Sequence, residues 1–332
     1  MHSFNNILIL IEDRDGKQTA LTKGLSIAAK TQARVTILLC TYEPFLAVKR
    51  HFPFKQNKSA ISSLLSHKKK QISDSIARYN VHHLNIEILT RWAYAQSPLV
   101  KSIVEQSQYD LVVKCADAYR ESITNVIFSD DNDLMKTCPC PILLTSKNSP
   151  AQGSVLCALN TDRIEPEQQG FNWQLATHAY KFARLLGNEA HLLSCYLGES
   201  TNMYFDSRIK QVQDPIRQKH FFDLAAIAQI LPLKYSQLHV MQGHPDHVIP
   251  KLANDLEPQL LVLGMHTRDG LFELLFGHTL QGIVSAVDCD ILAIQPNVLI
   301  TQPLLMQEQL VSFELLSNNR DAPNISIRTF YS

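Results

Sequence analysis

The chain says the same thing twice. The apolar run Ile7-Leu8-Ile9-Leu10-Ile11 is echoed by Val155-Leu156-Cys157-Ala158-Leu159, and each run ends at a polar side chain, Glu12 in one and Asn160 in the other. A helical pattern follows in both copies. Leu21, Leu25 and Ala28 share one face in the first, and Leu175, Ala179, Phe182 and Leu186 recur at helix spacing in the second, with Gly187 placed to end the helix. Second strands are expected over 33–40 and 190–195, helices over 62–79 and 215–230, and third strands over 84–90 and 238–242. Amphipathic helices over 98–106 and 247–255 lead to fourth strands around Leu111-Val112-Val113 and Leu261-Val262-Leu263. Fifth strands over 141–145 and 290–294 each follow a cysteine, Cys140 or Cys289.

Continuously apolar strands that alternate with helices belong to a parallel sheet covered on both faces. Ile7 and Val155 differ by 148 positions and Leu111 and Leu261 by 150, so the repeating unit is a whole domain. The expected class is therefore α/β, with two tandem domains, each an open five-stranded parallel sheet with helices on both faces. Their bounds are 1–147 and 153–297, joined by the polar, turn-rich segment Ser146-Lys147-Asn148-Ser149-Pro150-Ala151-Gln152-Gly153. A tail, 298–332, has no third copy, yet it carries Leu304, Leu305, Met306, Val311, Phe313, Leu315 and Leu316, which suits packing on a domain or a partner.

The copies differ in one respect that bears on function. After the fourth strand the first copy runs from Asp110 to Lys136 without a glycine, whereas the second has Gly264-Met265-His266-Thr267-Arg268-Asp269-Gly270 and then Gly277-His278-Thr279. Glycines past a buried strand permit positive φ and close backbone approach, as a phosphate cradle requires. In open α/β sheets ligands sit beyond the carboxyl ends of the strands, at the switch in strand order. Four such ends in the second copy carry Asn160, Tyr196, the Gly243-His244-Pro245 turn and the 264–279 loop. Gly277-His278-Thr279 precedes an expected helix over 280–287, whose free N–H groups favour an anion, and Arg268 can add charge. A tight strand-to-helix connection with no ligand accounts for the same glycines equally well. His244 and His247, with His266 and His278 after the next strand, form an alternative metal-binding set, although H-x-x-H spacing alone is not diagnostic.

The spacing of Gly264, Thr267, Gly277 and the polar pair after it resembles the nucleotide loop of the universal stress protein family, G-x2-G-x9-G-[S/T/N], and the two-domain period resembles that family's tandem form. The resemblance runs from about Asn5 to Asn297 and is most specific over 263–279. It implies two flavodoxin-like (Rossmann-like) domains that pack as a pseudo-dimer through their fifth strands. It further implies a non-enzymatic stress-response protein that acts through protein partners, with ATP or another adenine nucleotide as the small anionic ligand of the second domain. Gly264, Gly270, Gly277, His278 and Thr279 would line the phosphates, together with His266, Thr267 and Arg268 of the same loop. Tyr196 would lie near the adenine and Asn160 near the ribose. Three positions depart from the pattern: Thr267 replaces the second glycine, His278 stands where Ser or Asn is usual, and Asn160 replaces an Asp.

No G-x-S-x-G elbow, Walker A lysine loop or C-x-x-C is present, so no catalyst has its usual context. A metal- or apolar-ligand-binding adaptor and a weak nucleotide hydrolase are the alternatives. Asp117, Asp130, Asp131 and Asp133 read as a solvated acidic loop. With 31 basic and 31 acidic residues there is no field to draw the chain to nucleic acid, and Lys68-Lys69-Lys70 reads as a solvated helix face. No apolar run approaches the ~18 residues of a membrane span. Seven cysteines, several in apolar strands, suit reduced thiols and a cytoplasmic protein, and Cys138-Pro139-Cys140 reads as a turn into the fifth strand rather than a redox motif.

Overall fold

Strand β1 (Asn6–Ile11) is buried from Ile7 to Ile11, as an unbroken apolar run must be when strands flank it and helices cover both its faces. The computed structural model describes residues 4–11, 18–43, 46, 54–79, 81–94, 96–116, 134–135, 138–162, 165–197, 215–265, 282–283 and 286–296. After β1 come α1 (Thr19–Thr31), β2 (Arg34–Thr41), α2 (Phe54–Ile76), β3 (Ile86–Trp92), α3 (Gln96–Ser107), β4 (Leu111–Cys115) and β5 (Ile142–Thr145). The second half repeats the alternation: β6 (Val155–Leu159), α4 (Pro166–Leu186), β7 (Ala190–Tyr196), α5 (Pro215–Ile230), β8 (Leu238–Gln242), α6 (Pro245–Leu256), β9 (Leu260–Gly264) and β10 (Asp290–Ile294).

Among the described residues these strands make one ten-stranded sheet in the order 3-2-1-4-5-10-9-6-7-8. Each half alone has the order 3-2-1-4-5, which is that of a dinucleotide fold's first five strands. The switch points fall between β1 and β4 and between β6 and β9. Neighbouring strands are parallel except at the centre, where β5 and β10 run antiparallel and join the halves through their fifth strands.

Helix α1 buries Leu21, Leu25 and Ala28 and ends on Gln32 in the left-handed region, φ 56°, with its N–H donating to the Ala28 carbonyl. Helix α4 begins with Pro166 and ends on Gly187 at φ 78°, where a side chain would be strained. One face of the sheet packs on α1, α2, α4 and α5 through residues such as Ile9, Ile72, Phe182 and Leu224. The other packs on α3 and α6 through Val100, Val104, Ile249 and Leu252. Full burial of each such aliphatic side chain contributes roughly 1.5–3 kcal/mol, which makes the two faces the main source of stability.

Register fixes which residues of the halves correspond. Ile7 pairs with Leu111 and Val155 with Leu260. The partner of Leu111 in the second half is thus Leu260 rather than Leu261, and Gly264 occupies the position of Cys115.

Among the described residues the seam carries a part-buried ion pair. Lys23 Nζ of α1 donates to both carboxylate oxygens of Asp290 at the start of β10, at 2.6 and 2.8 Å, and to the Ser146 carbonyl at 3.1 Å. The Ser146 N–H donates to Asp290 Oδ1 at 2.8 Å. Burial pushes the Asp290 carboxyl above the usual carboxylate range, and the Lys23 ammonium draws it back. Phe4 and Phe182 add a ring contact across the halves, with centroids 5.2 Å apart. Lys23→Met strands a nearly buried carboxylate and should lower the unfolding free energy by about 3 kcal/mol. Asp290→Asn leaves an ammonium that can turn to water and should cost only ~1 kcal/mol. Urea denaturation of both variants checks this, and equal costs would show that the pair does not work as described.

Candidate functional site

The carboxyl ends of β6, β7 and β9 converge in the second half around a polar network that no sequence spacing marked. Asn160, one residue past β6, is 8% exposed. The Asn172 side chain of α4 clamps its backbone from both sides: Asn172 Nδ2 donates to the Asn160 carbonyl at 2.6 Å, and the Asn160 N–H donates to Asn172 Oδ1 at 3.2 Å. Gln168 Nε2 donates to that same Oδ1 at 3.1 Å. The Asn160 side-chain oxygen accepts the Asp162 N–H at 3.2 Å, which fixes the amide's orientation. Its Nδ2 then points two donor hydrogens elsewhere and has no partner among the described residues.

Beside it, Thr161 and Ser194 of β7 share His220 of α5. Thr161 Oγ1 lies 2.6 Å and Ser194 Oγ 2.7 Å from His220 Nδ1, the hydroxyls are 2.7 Å apart, and His220 Nε2 lies 3.0 Å from Asp162 Oδ1. A neutral imidazole satisfies all of this: Nε2–H donates to the carboxylate, one hydroxyl donates to Nδ1, and the second donates to the first. Hydroxyl, imidazole and carboxylate stand in the order of a hydrolytic triad. Ser194 is 0% and Thr161 4% exposed, however, so a substrate carbonyl cannot reach either oxygen, and the network acts as a brace. Burial and the Asp162 carboxylate push the neighbouring Cys195 thiol up to about 12, which keeps it unreactive. Lys219 Nζ donates to the Thr161 carbonyl at 2.9 Å and lies 3.4 Å from Asp223, bringing a half-exposed cation to the same strand end.

Of the residues singled out by sequence, Asn160, Tyr196 and Gly264 are described. Tyr196 packs its ring on His220, with centroids 5.4 Å apart, and is 5% exposed, which leaves a ligand little of its surface. Gly264 closes β9 under α4. A Cβ there would lie 2.6 Å from the Phe171 ring and 2.9 Å from Leu175, so this glycine is required for packing. His266, Thr267, Arg268, Gly270, Gly277, His278 and Thr279 lie outside the described residues, as do the acidic positions Asp117, Asp130, Asp131 and Asp133 and the tail. His244 caps α6 and His247 lies in its first turn. Among the described residues no group of three or more His, Cys, Asp or Glu could hold a metal.

Sequence reading missed Thr161, Asp162, Ser194, Lys219 and His220, which come from three separate segments. A lone histidine on the apolar face of a helix carries no signal of its partners. It also missed the histidines that do meet. His191 Nδ1 of β7 and His239 Nε2 of β8 are 2.9 Å apart, and their rings stack with centroids at 5.2 Å.

The comparisons with known proteins agree with this architecture. Residues 172–295 match the Universal stress protein family. The chain is 25% identical over 304 residues to the "Universal stress protein E homolog" of Haemophilus influenzae, covering 89% of this chain and 98% of that one. It is likewise 25% identical over 305 residues to "Universal stress protein E" of Escherichia coli K12, covering 90% and 96%. A putative universal stress protein from Pseudomonas aeruginosa has the same fold, with a TM-score of 0.63 at 20% identity over 96% of this chain and 99% of that one. One from Archaeoglobus fulgidus scores 0.59 at 11% identity over 88% and 96%.

Burial lowers the pKa of both members of the histidine pair, that of His239 to about 4, and the His191 neighbour lowers His239 further. The unfolded chain takes up these protons near the ordinary histidine value of about 6.5. Stability contributed by the neutral pair is therefore present above that pH and is lost as pH falls from there through about 4. The urea midpoint should drop over this window, and His239→Gln should flatten the drop. An unchanged pH slope in the variant would remove the pair from the explanation.

Proposed function

We propose that this chain, a tandem protein of the universal stress type whose second half matches the family and whose whole length resembles universal stress protein E, is a non-enzymatic stress-response protein. In this reading it binds an adenine nucleotide, ATP foremost, or a similar anion at the β6/β9 switch point of its second half. The binding state is read by protein partners in the cytoplasm. The domains are 1–147, a scaffold copy, and 153–297, the ligand-holding copy.

The observation that supports this most is the Asn160 amide. Its oxygen is tied to the Asp162 N–H, its backbone is held by Asn172, and its two Nδ2 hydrogens have no partner among the described residues. The residue is 8% exposed but this donor is not sealed from solvent, so a ligand that brings oxygen atoms can replace water as its acceptor. An aspartate there would present an acceptor instead, so the change from the family's usual residue favours an acceptor-rich ligand. Lys219 at the Thr161 carbonyl adds positive charge beside that donor. In this proposal the N–H groups of Gly270, Gly277, His278 and Thr279, with His266, Thr267 and Arg268, complete the phosphate cradle, while Tyr196 and His220 back the site from beneath. Gly264 serves by letting Phe171 close under the strand end.

Isothermal titration with ATP and with adenosine tests the reading. ATP should bind, adenosine should bind at least tenfold more weakly, and Asn160→Ala and Gly277→Val should each weaken ATP by about tenfold or more, roughly one charge-assisted hydrogen bond. Absence of binding at millimolar ATP, or binding that both variants leave unchanged, would contradict it.

A further inference from the structure

We propose that Cys138 and Cys140 form a dithiol that peroxide oxidises to an intramolecular disulfide, a modification site at the foot of the strand that joins the halves. In the sequence this pair is only a turn with one proline between two cysteines, but the fold aims the side chains at each other. The sulfurs are 3.8 Å apart, in S–H···S contact. A disulfide requires them to close by about 1.8 Å to the usual bond length of roughly 2.05 Å, a displacement within reach of side-chain rotation.

The two thiols are not equivalent. The side-chain and backbone hydrogens of Cys140 are donated to the Cys138 sulfur and hold its pKa down, against its burial. The Cys140 thiol is pushed up, first because it is the donor in that contact, then by burial and by the charges of Cys138 and Asp110. Of the two, Cys138 is the thiol that gives up its proton more readily and Cys140 the one that keeps it, the order that an attacking and a resolving thiol require. Cys138 is 1% and Cys140 8% exposed, which shuts out glutathione disulfide and restricts the oxidant to one as small as hydrogen peroxide.

The chemistry balances with peroxide as the only oxidant. The Cys138 sulfur attacks one peroxide oxygen and the O–O bond breaks. The departing hydroxide takes a proton to become water, and Cys138 becomes a sulfenic acid. Cys140 then gives up its proton as its sulfur attacks that of Cys138. The S–O bond breaks, and the second hydroxide leaves as water. Two thiols and one hydrogen peroxide give one disulfide and two waters.

The repeat supplies an internal control. Register places Ile142 opposite Val112 and Ile291 opposite Leu261, so the counterparts of Cys138 and Cys140 are Val287 and Cys289. Cys289 is buried to 3%, much as its counterpart is, but has valine two residues before it. The dithiol also lies on the seam. Pro141 follows it directly, β5 begins at Ile142, and Met135, in the same segment, accepts a hydrogen bond from Gln295 Nε2 of the second half.

The test treats the folded full-length chain with hydrogen peroxide, blocks free thiols with N-ethylmaleimide after unfolding, and maps tryptic peptides by mass. The peptide from residue 137 to Lys147 carries both cysteines. It should appear two hydrogens lighter and unalkylated and regain two labels after dithiothreitol, while the Cys289 peptide stays labelled. Cys140→Ser should abolish the disulfide and leave Cys138 trappable by dimedone as the sulfenic acid. Two labels on the 137–147 peptide of the unmutated protein in excess peroxide would overturn the proposal, as would sulfinic acid at either cysteine without a disulfide.

Discussion

Everything in this molecule is arranged around one reversal of strand direction. Nine strand neighbours could have continued in parallel, but β5 and β10 meet antiparallel at the centre of the sheet. In a parallel βαβ sheet all carboxyl ends, and so all ligand-type crevices, share one edge. The reversal sends the first half's carboxyl ends to one edge and the second half's to the other, so the two halves cannot share a ligand. It also brings the amino end of β5, with its paired thiols, alongside the carboxyl end of β10, on the edge that carries the candidate ligand site. The Lys23–Asp290 pair fastens this junction on one side, and on the other Gln174 of α4 donates a 3.4 Å hydrogen bond to the Gln295 carbonyl.

Once the halves are locked, each position exists twice, and the copies have diverged. Where the second half needs glycine at 264 to admit Phe171, the first has Cys115, which accepts the Thr19 hydroxyl at 3.3 Å. Where the second half has apolar Leu263 the first buries Lys114, whose ammonium donates to Gln96 Oε1 at 3.0 Å. At the carboxyl ends of β4 and β5 the first half has protein–protein bonds, such as the 2.9 Å contact of Thr19 with Thr145. At the second half's switch point the brace of Thr161, Ser194 and His220 lies beneath the strand ends, and the Asn160 donor remains available above it. The two copies thus differ in side-chain chemistry as well as in glycine content.

The fold was legible in the sequence because burial on both faces forces unbroken apolar strands, and a helix cannot hide its period. Helix 215–230 and strands 238–242 and 290–294 fall where the pattern put them. The second helix of the first half begins earlier, at Phe54, because its polar first turns carry no hydrophobic signal. The register offset, Leu260 for Leu261, was invisible because three consecutive leucine or valine residues look alike from either alignment. Site residues were less legible for the same reason throughout: the sequence shows residue types along the chain, and His220 acquires meaning only when α5 lays it across Thr161 and Ser194. Gly264 shows the converse, a glycine whose neighbourhood suggests a ligand and for which the structure adds a steric, internal necessity. Cys138 and Cys140 show a third case, a spacing without a familiar name whose geometry nonetheless brings two sulfurs together.

Amide hydrogen exchange with and without saturating ATP tests most directly whether function has been confined to the second half. Slowed exchange at residues 160–162 and 265, with none at the matching strand ends of the first half, 10–11 and 115–116, is the predicted result. Protection at the first half's strand ends, or at neither set, would contradict a scaffold copy paired with a ligand-holding one.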